Sequence, residues 1–115
     1  AGDQWSLEVL GRALTGERER VREACAECFR RITQVGEACE TILRSTTVLP
    51  ALAHVLGRGG PVCRHAVASA VSNLCAAGHK ARERVRDTYG MVDALCAVLF
   101  SYPSGEGTTL EAALT

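Results

Sequence analysis

Residues 63–74 read CRHAVASAVSNL, and residues 21–32, 42 positions earlier, read VREACAECFRRI. Laid over one another, Val21, Cys25, Cys28, Phe29 and Ile32 fall on Cys63, Val67, Ala70, Val71 and Leu74. Apolar meets apolar at spacings of four, three, one and three, the pattern of a helix with one buried face. Two further blocks keep the register. VLPALAHVL (48–56) lies over MVDALCAVL (91–99) at a shift of 43, and Leu10, Ala13 and Leu14 match Leu52, Val55 and Leu56 at 42. A slip of one residue between blocks is what a connecting loop absorbs. The chain is a repeat with a period of 42 to 43 residues.

Punctuation divides each period into three helices. TGE (15–17) separates a first helix over 6–14 from one over 18–35, with Gly36 as its expected terminator. A short helix over 37–46 and one over 48–57 follow; Pro50 falls near the start of the latter, where proline is tolerated. GRGGP (57–61) reads as a turn, and Pro61 opens a helix that Gly78 closes. The cycle then restarts with a charged helix over 79–89, Gly90 as breaker, an apolar helix over 91–101, a loop SYPSGEG and the start of another helix in TTLEAALT. The fold class is all-α. Its divisions are 6–36, holding two helices of a partial repeat, 37–78, a full repeat, and 79–115, a repeat with a truncated last helix.

Three helices per period, short, apolar and long, resemble the armadillo repeat. In that family the second helix runs roughly small-apolar-Pro-x-Leu-Val-x-Leu-Leu and the third Ala-x-Trp-Ala-Leu-Ser-Asn-Leu-Ala. GMVDALCAVL (90–99) is similar to the second and AVASAVSNLCAAG (66–78) to the third, and the likeness extends over nearly the whole chain. It implies a right-handed α-solenoid of about two and a half repeats, with the third helices stacked along a concave groove. Asn73 occupies the position of the asparagine that, in the family, bonds the backbone of an extended peptide. Asn73 also sits at the edge of the apolar stripe, two residues past Val71, where an amide can donate and accept at once. An alternative role for it is to bond a neighbouring loop or helix end.

The likeness stops at the tryptophan column, which holds Ser69 and, one repeat earlier, Glu27; Arg31 takes the asparagine column there. The grip on lysine stems that tryptophan–asparagine pairs provide is therefore not expected. The implied groove is polar and mixed in charge, with Glu23, Glu27, Arg31 and Gln34 on one helix and His65, Ser69 and Asn73 on the next. The expected function is a non-catalytic protein-interaction scaffold that binds an extended protein or peptide segment along this face. The alternatives are a structural spacer in a larger solenoid, or a helical regulatory part of a multidomain protein such as a chaperone or an enzyme subunit.

Other signals bound the reading. Thirteen basic and thirteen acidic side chains give no net charge, so the overall balance favours neither nucleic acid nor anionic membrane. No apolar run approaches a membrane span, and AGDQWSLEVL lacks the basic start and apolar stretch of a signal peptide. HKARERVRD (79–87) and GERERVRE (16–23) mix signs as solvated helix faces do. GRGGP lacks the Lys-Ser/Thr ending and the preceding strand of a phosphate loop. The three histidines fall in three different helices and no carboxylate pair stands out, so no enzyme is expected.

Of the six cysteines, Cys25 and Cys28 have C-x-x-C spacing, but no second close pair completes a zinc site. Each cysteine shares its repeat column with a small or medium residue, as a small hydrophobe would. Six buried free thiols, no metal, no cofactor and a reducing compartment follow, the cytoplasm or alternatively the nucleus. A last expectation concerns the flanks. The chain opens inside a second helix and closes half-way through a third, as an excerpt of a longer array would. Leu7, Leu10 and Leu14 at one end and Met91, Leu95 and Leu99 at the other are then left uncovered, which favours end-to-end self-association.

Overall fold

Each apolar block of the sequence becomes a helix in the computed structural model, which describes residues 2–101. The order is α1 (Gly2–Leu14), α2 (Glu19–Ile32), α3 (Gly36–Arg44), α4 (Val48–Arg58), α5 (Pro61–Cys75), α6 (His79–Asp87) and α7 (Met91–Ser101). There is no strand among the described residues. The helix expected from TTLEAALT, and with it the truncated last helix of 79–115, lies outside them.

The boundaries have local causes. Pro61 is the first residue of α5, where its missing N–H has no helical partner to lose. Pro50 occupies the first turn of α4 for the same reason. The orphan N–H groups at that helix start are met from upstream: Ser45 Oγ accepts from Val48 N at 3.1 Å and from Thr47 N at 3.2 Å. Gly90 precedes α7 with φ of +79°, a left-handed conformation that side-chain-bearing residues avoid.

Gly36 departs from expectation. It opens α3 instead of closing the helix before it, and α2 stops earlier, at Ile32. Thr33, the C-cap, turns its hydroxyl back to the carbonyls of Phe29 at 2.7 Å and Arg30 at 3.1 Å. Gln34 and Val35 then close tight turns on Arg31 O and Ile32 O. The helix end is thus satisfied by a threonine side chain and short-range bonds, and no glycine is required.

Helices pack mainly against their counterparts one period away. α2 lies along α5, α4 along α7 and α1 along α4, while α1 with α2 and α4 with α5 close the layers. Between them runs one apolar core, in which Leu14, Phe29, Leu52, Leu56, Leu74 and Leu95 are essentially fully buried. Each such side chain contributes roughly 1.5–3 kcal/mol over leaving it in water.

The repetition extends to the crevices between helices. Glu8, Gly11, Arg12, Thr15, Thr47 and Ala51 line one of about 120 Å³ between α1 and α4. Their counterparts at 42 or 43 positions are Pro50, Ala53, His54, Gly57, Gly90 and Ala94. All six line a larger crevice of about 600 Å³ between α4 and α7.

The flanking leucines depart from expectation too. Leu7, Leu14, Met91 and Leu95 are buried, and Leu10 and Leu99 are partly covered. These residues face the helix pairs of their own layer, so the flanks are made by other positions.

Candidate functional site

On α2, Glu27 and Arg31 stand one turn apart; on α5, His65, Ser69 and Asn73 do the same over two turns. α2 and α5 lie side by side and form a seam. Glu27, Ser69 and Asn73 are half-buried, while Arg31 and His65 are exposed. Gln34 is exposed as well, but it lies in the turn beyond α2 and not on the helix.

Asn73 crosses the seam. Its Nδ2 donates to Thr33 Oγ1 at 3.1 Å and to Arg30 O at 3.3 Å. Arg30 O is one of the last four carbonyls of α2, which have no partner within their own helix. The amide adds a second donor to a carbonyl that the Thr33 hydroxyl already meets at 3.1 Å, and so Asn73 ties α5 to α2. None of the hydrogen bonds among the described residues uses Asn73 Oδ1. The amide therefore keeps an acceptor at a half-buried surface position.

Arg84 makes the equivalent tie between the short helices, donating from Nε to Leu43 O at 2.9 Å, near the end of α3. In both cases a polar side chain reaches back one period to a helix terminus.

The charges of α2 are organised along that helix. Arg30 donates from Nε to Glu27 Oε2 at 2.8 Å and from its second nitrogen to Oε1, and Arg31 Nε donates to Oε1 at 3.1 Å. These bonds, those from Arg30 foremost, hold the Glu27 carboxyl at about 2, well below its ordinary 4.5. Glu27 is therefore an anion already neutralised by its own helix. Arg31, whose side chain is about three-quarters exposed, presents the charge that extends outward.

Four cysteines meet the expectation of buried thiols and two do not. Cys25, Cys39, Cys63 and Cys75 are buried and free, and burial pushes their thiols up. Cys28 and Cys96 are free but exposed. Their columns hold Ala70 and Ala53, which are buried, so column identity alone does not report exposure. Among the described residues no three His, Cys, Asp or Glu side chains gather as a metal site would require.

Thr33 and Arg30 complete the seam and were not singled out from the sequence. Thr33 shares a column with Cys75 at a shift of 42, which hides its polar role. Ser45 and Thr88 were legible in principle: both are buried hydroxyl residues, 43 positions apart, and both cap the ends of short helices.

No protein-family model matches the chain, and neither a curated protein nor a solved structure matches it. No helix among the described residues is long and apolar enough to cross a membrane.

Proposed function

We propose that this chain is a non-catalytic interaction module. In this reading it is a right-handed stack of about two and a half armadillo-like repeats, and an extended protein or peptide segment binds along the α2–α5 seam. The observation that carries the reading is the seam itself. Two helices one period apart lie side by side, and Asn73 is held between them by its Nδ2 with its Oδ1 uncommitted. An uncommitted amide oxygen accepts a backbone N–H. Arg31, Gln34 and His65 on the rim supply polar contacts, Ser69 adds a hydroxyl, and Glu27 keeps Arg31 oriented along α2. The matched crevices at α1–α4 and α4–α7 support the repeat geometry on which the reading depends. Six free thiols fit a reducing compartment, the cytoplasm or the nucleus.

Peptides selected from a random display library on the immobilised chain test the proposal. Binding should be lost in Arg31→Ala and Ser69→Arg and kept in Lys80→Ala and Arg86→Ala, which lie on α6. The reverse pattern overturns the seam as the binding face.

A second reading, a structural spacer within a larger stack, is favoured by one observation. Both Asn73 and Arg84 use their donors to join one period to the next. A chain from which no peptide is selected, with Asn73→Ala strongly destabilising, fits that reading instead.

A further inference from the structure

We propose that the segment received at the α2–α5 seam is acidic: a free edge of the Arg31 guanidinium takes one of its carboxylates, beside the backbone N–H taken by Asn73 Oδ1. The inference rests on the seam as the binding face and adds the chemistry of what binds there. Two groups on this surface have unused bonding capacity of opposite kinds. Arg31 donates from Nε to Glu27 Oε1 at 3.1 Å, and its guanidinium makes no other bond among the described residues. The bond at Nε leaves the edge formed by the two terminal nitrogens unused. Such an edge presents two parallel N–H groups that match the two oxygens of a carboxylate. The side chain is about three-quarters exposed, so the edge is accessible.

Asn73 is the second group, and its position is tied to the first. Its Nδ2 donates to Arg30 O at 3.3 Å, and that carbonyl belongs to the peptide unit joining Arg30 to Arg31. The unused acceptor and the unused fork therefore stand at neighbouring positions. An extended chain advances about 3.3 Å per residue, so the N–H and the carboxylate come from residues within about three of each other.

The local charge decides the sign of the partner. Arg30 and Arg31 both bond to Glu27, so two guanidiniums share one carboxylate and a single positive charge is in surplus. Across the seam, α5 contains no acidic residue. Glu23, the next acid back along α2, is eight residues from Arg31. That is about 12 Å of helix rise, beyond the screening length of about 8 Å at physiological salt. One surplus charge suits a singly charged carboxylate. A phosphoryl group carries nearly two and would set the second against Glu27.

Two display libraries of short random peptides, one with a central glutamate fixed and one with a central lysine, test this on the whole chain. Wild type should select from the glutamate library and Arg31→Glu from the lysine library. Arg31 is exposed, and unchanged circular dichroism verifies that the variant folds. In a selected peptide, changing the glutamate to glutamine should weaken binding to wild type roughly five- to tenfold, the loss of one partly screened charge-assisted pair. Changing it to lysine should give a peptide that binds Arg31→Glu better than wild type. N-methylation at successive positions should find one sensitive amide within about three residues of the glutamate. Phosphoserine in place of the glutamate should bind more weakly; tighter binding assigns the fork to a phosphoryl group and overturns the carboxylate. Binding that is lost in Ser69→Arg but indifferent to the change to glutamine overturns the acidic segment and leaves the seam standing. Binding kept in Ser69→Arg, or no peptide selected from either library, overturns the seam and this inference with it.

Discussion

Asn73 of α5 and Thr33, the C-cap of α2, are joined by a 3.1 Å hydrogen bond across 40 residues of sequence. The same nitrogen also reaches Arg30 O, while the Thr33 hydroxyl is turned inward to Phe29 O at 2.7 Å. One amide thereby completes the end of a helix to which it does not belong.

Removing that amide has a stability cost. Asn73→Ala deletes two hydrogen bonds at a half-buried seam and should lower stability by about 1–2 kcal/mol. Asn73→Asp should cost more, because it sets a carboxylate oxygen against the Arg30 carbonyl. Chemical denaturation measures both. A double-mutant cycle with Thr33→Val should return a coupling of at least about 0.5 kcal/mol; additivity would show that the bond contributes nothing.

Glu27 should titrate far below a free glutamate. Its folded pKa of about 2 is depressed, so its pairing supports the fold above the ordinary value of 4.5 and the support is lost as pH falls from there towards 2. Because its side chain stays about 41% exposed, water screens the pairing and the effect on stability is small. Wild type should melt slightly above Glu27→Gln at neutral pH, and the gap should close near pH 2. A carboxyl NMR titration checks the cause: the midpoint should rise towards the ordinary value in Arg30→Ala. A wild-type midpoint near 4.5 is the contrary result.

Alkylation should divide the cysteines two to four. Cys28 and Cys96 are exposed, while the other four are buried with raised thiol pKa. Intact-mass analysis under native conditions should show two rapid adducts per chain and six after denaturation. Four or more rapid adducts would contradict the packing of α2 against α5.

Adjacent glycines should respond oppositely. A Cβ on Gly59 would stand 2.7 Å from Val55 O, a backbone atom that cannot swing aside, whereas one on Gly60 meets nothing within 4 Å. Gly59→Ala should lower stability by about 1–3 kcal/mol, as overpacking does. Gly60→Ala should be neutral, or stabilise by up to about 1 kcal/mol by restricting the unfolded chain. Thermal melts of the pair decide it.

The amino-acid order was sufficient for the helices and their columns, because burying one face of a helix imposes a spacing that is written locally. Phe29 with Val71 and Leu52 with Leu95 could be matched before any packing was known, and they meet in one core. Side-chain exposure was not legible in the same way. Cys28 and Ala70 share a column, yet one is exposed and the other is buried in the core, since exposure depends on which neighbouring helices are present. Leu14 and Met91 were placed on the flanks by sequence and are buried within the stack, because spacing reports a face without saying which neighbour covers it. Gly36 looked like a terminator, but Thr33 satisfies that helix end through its hydroxyl. Asn73 is the clearest division between the two levels. The sequence by itself determined that an amide stands at the edge of an apolar stripe. Only the tertiary structure decided that its donor is spent on α2 and its acceptor is not, because a hydrogen bond spanning 40 residues leaves no local pattern.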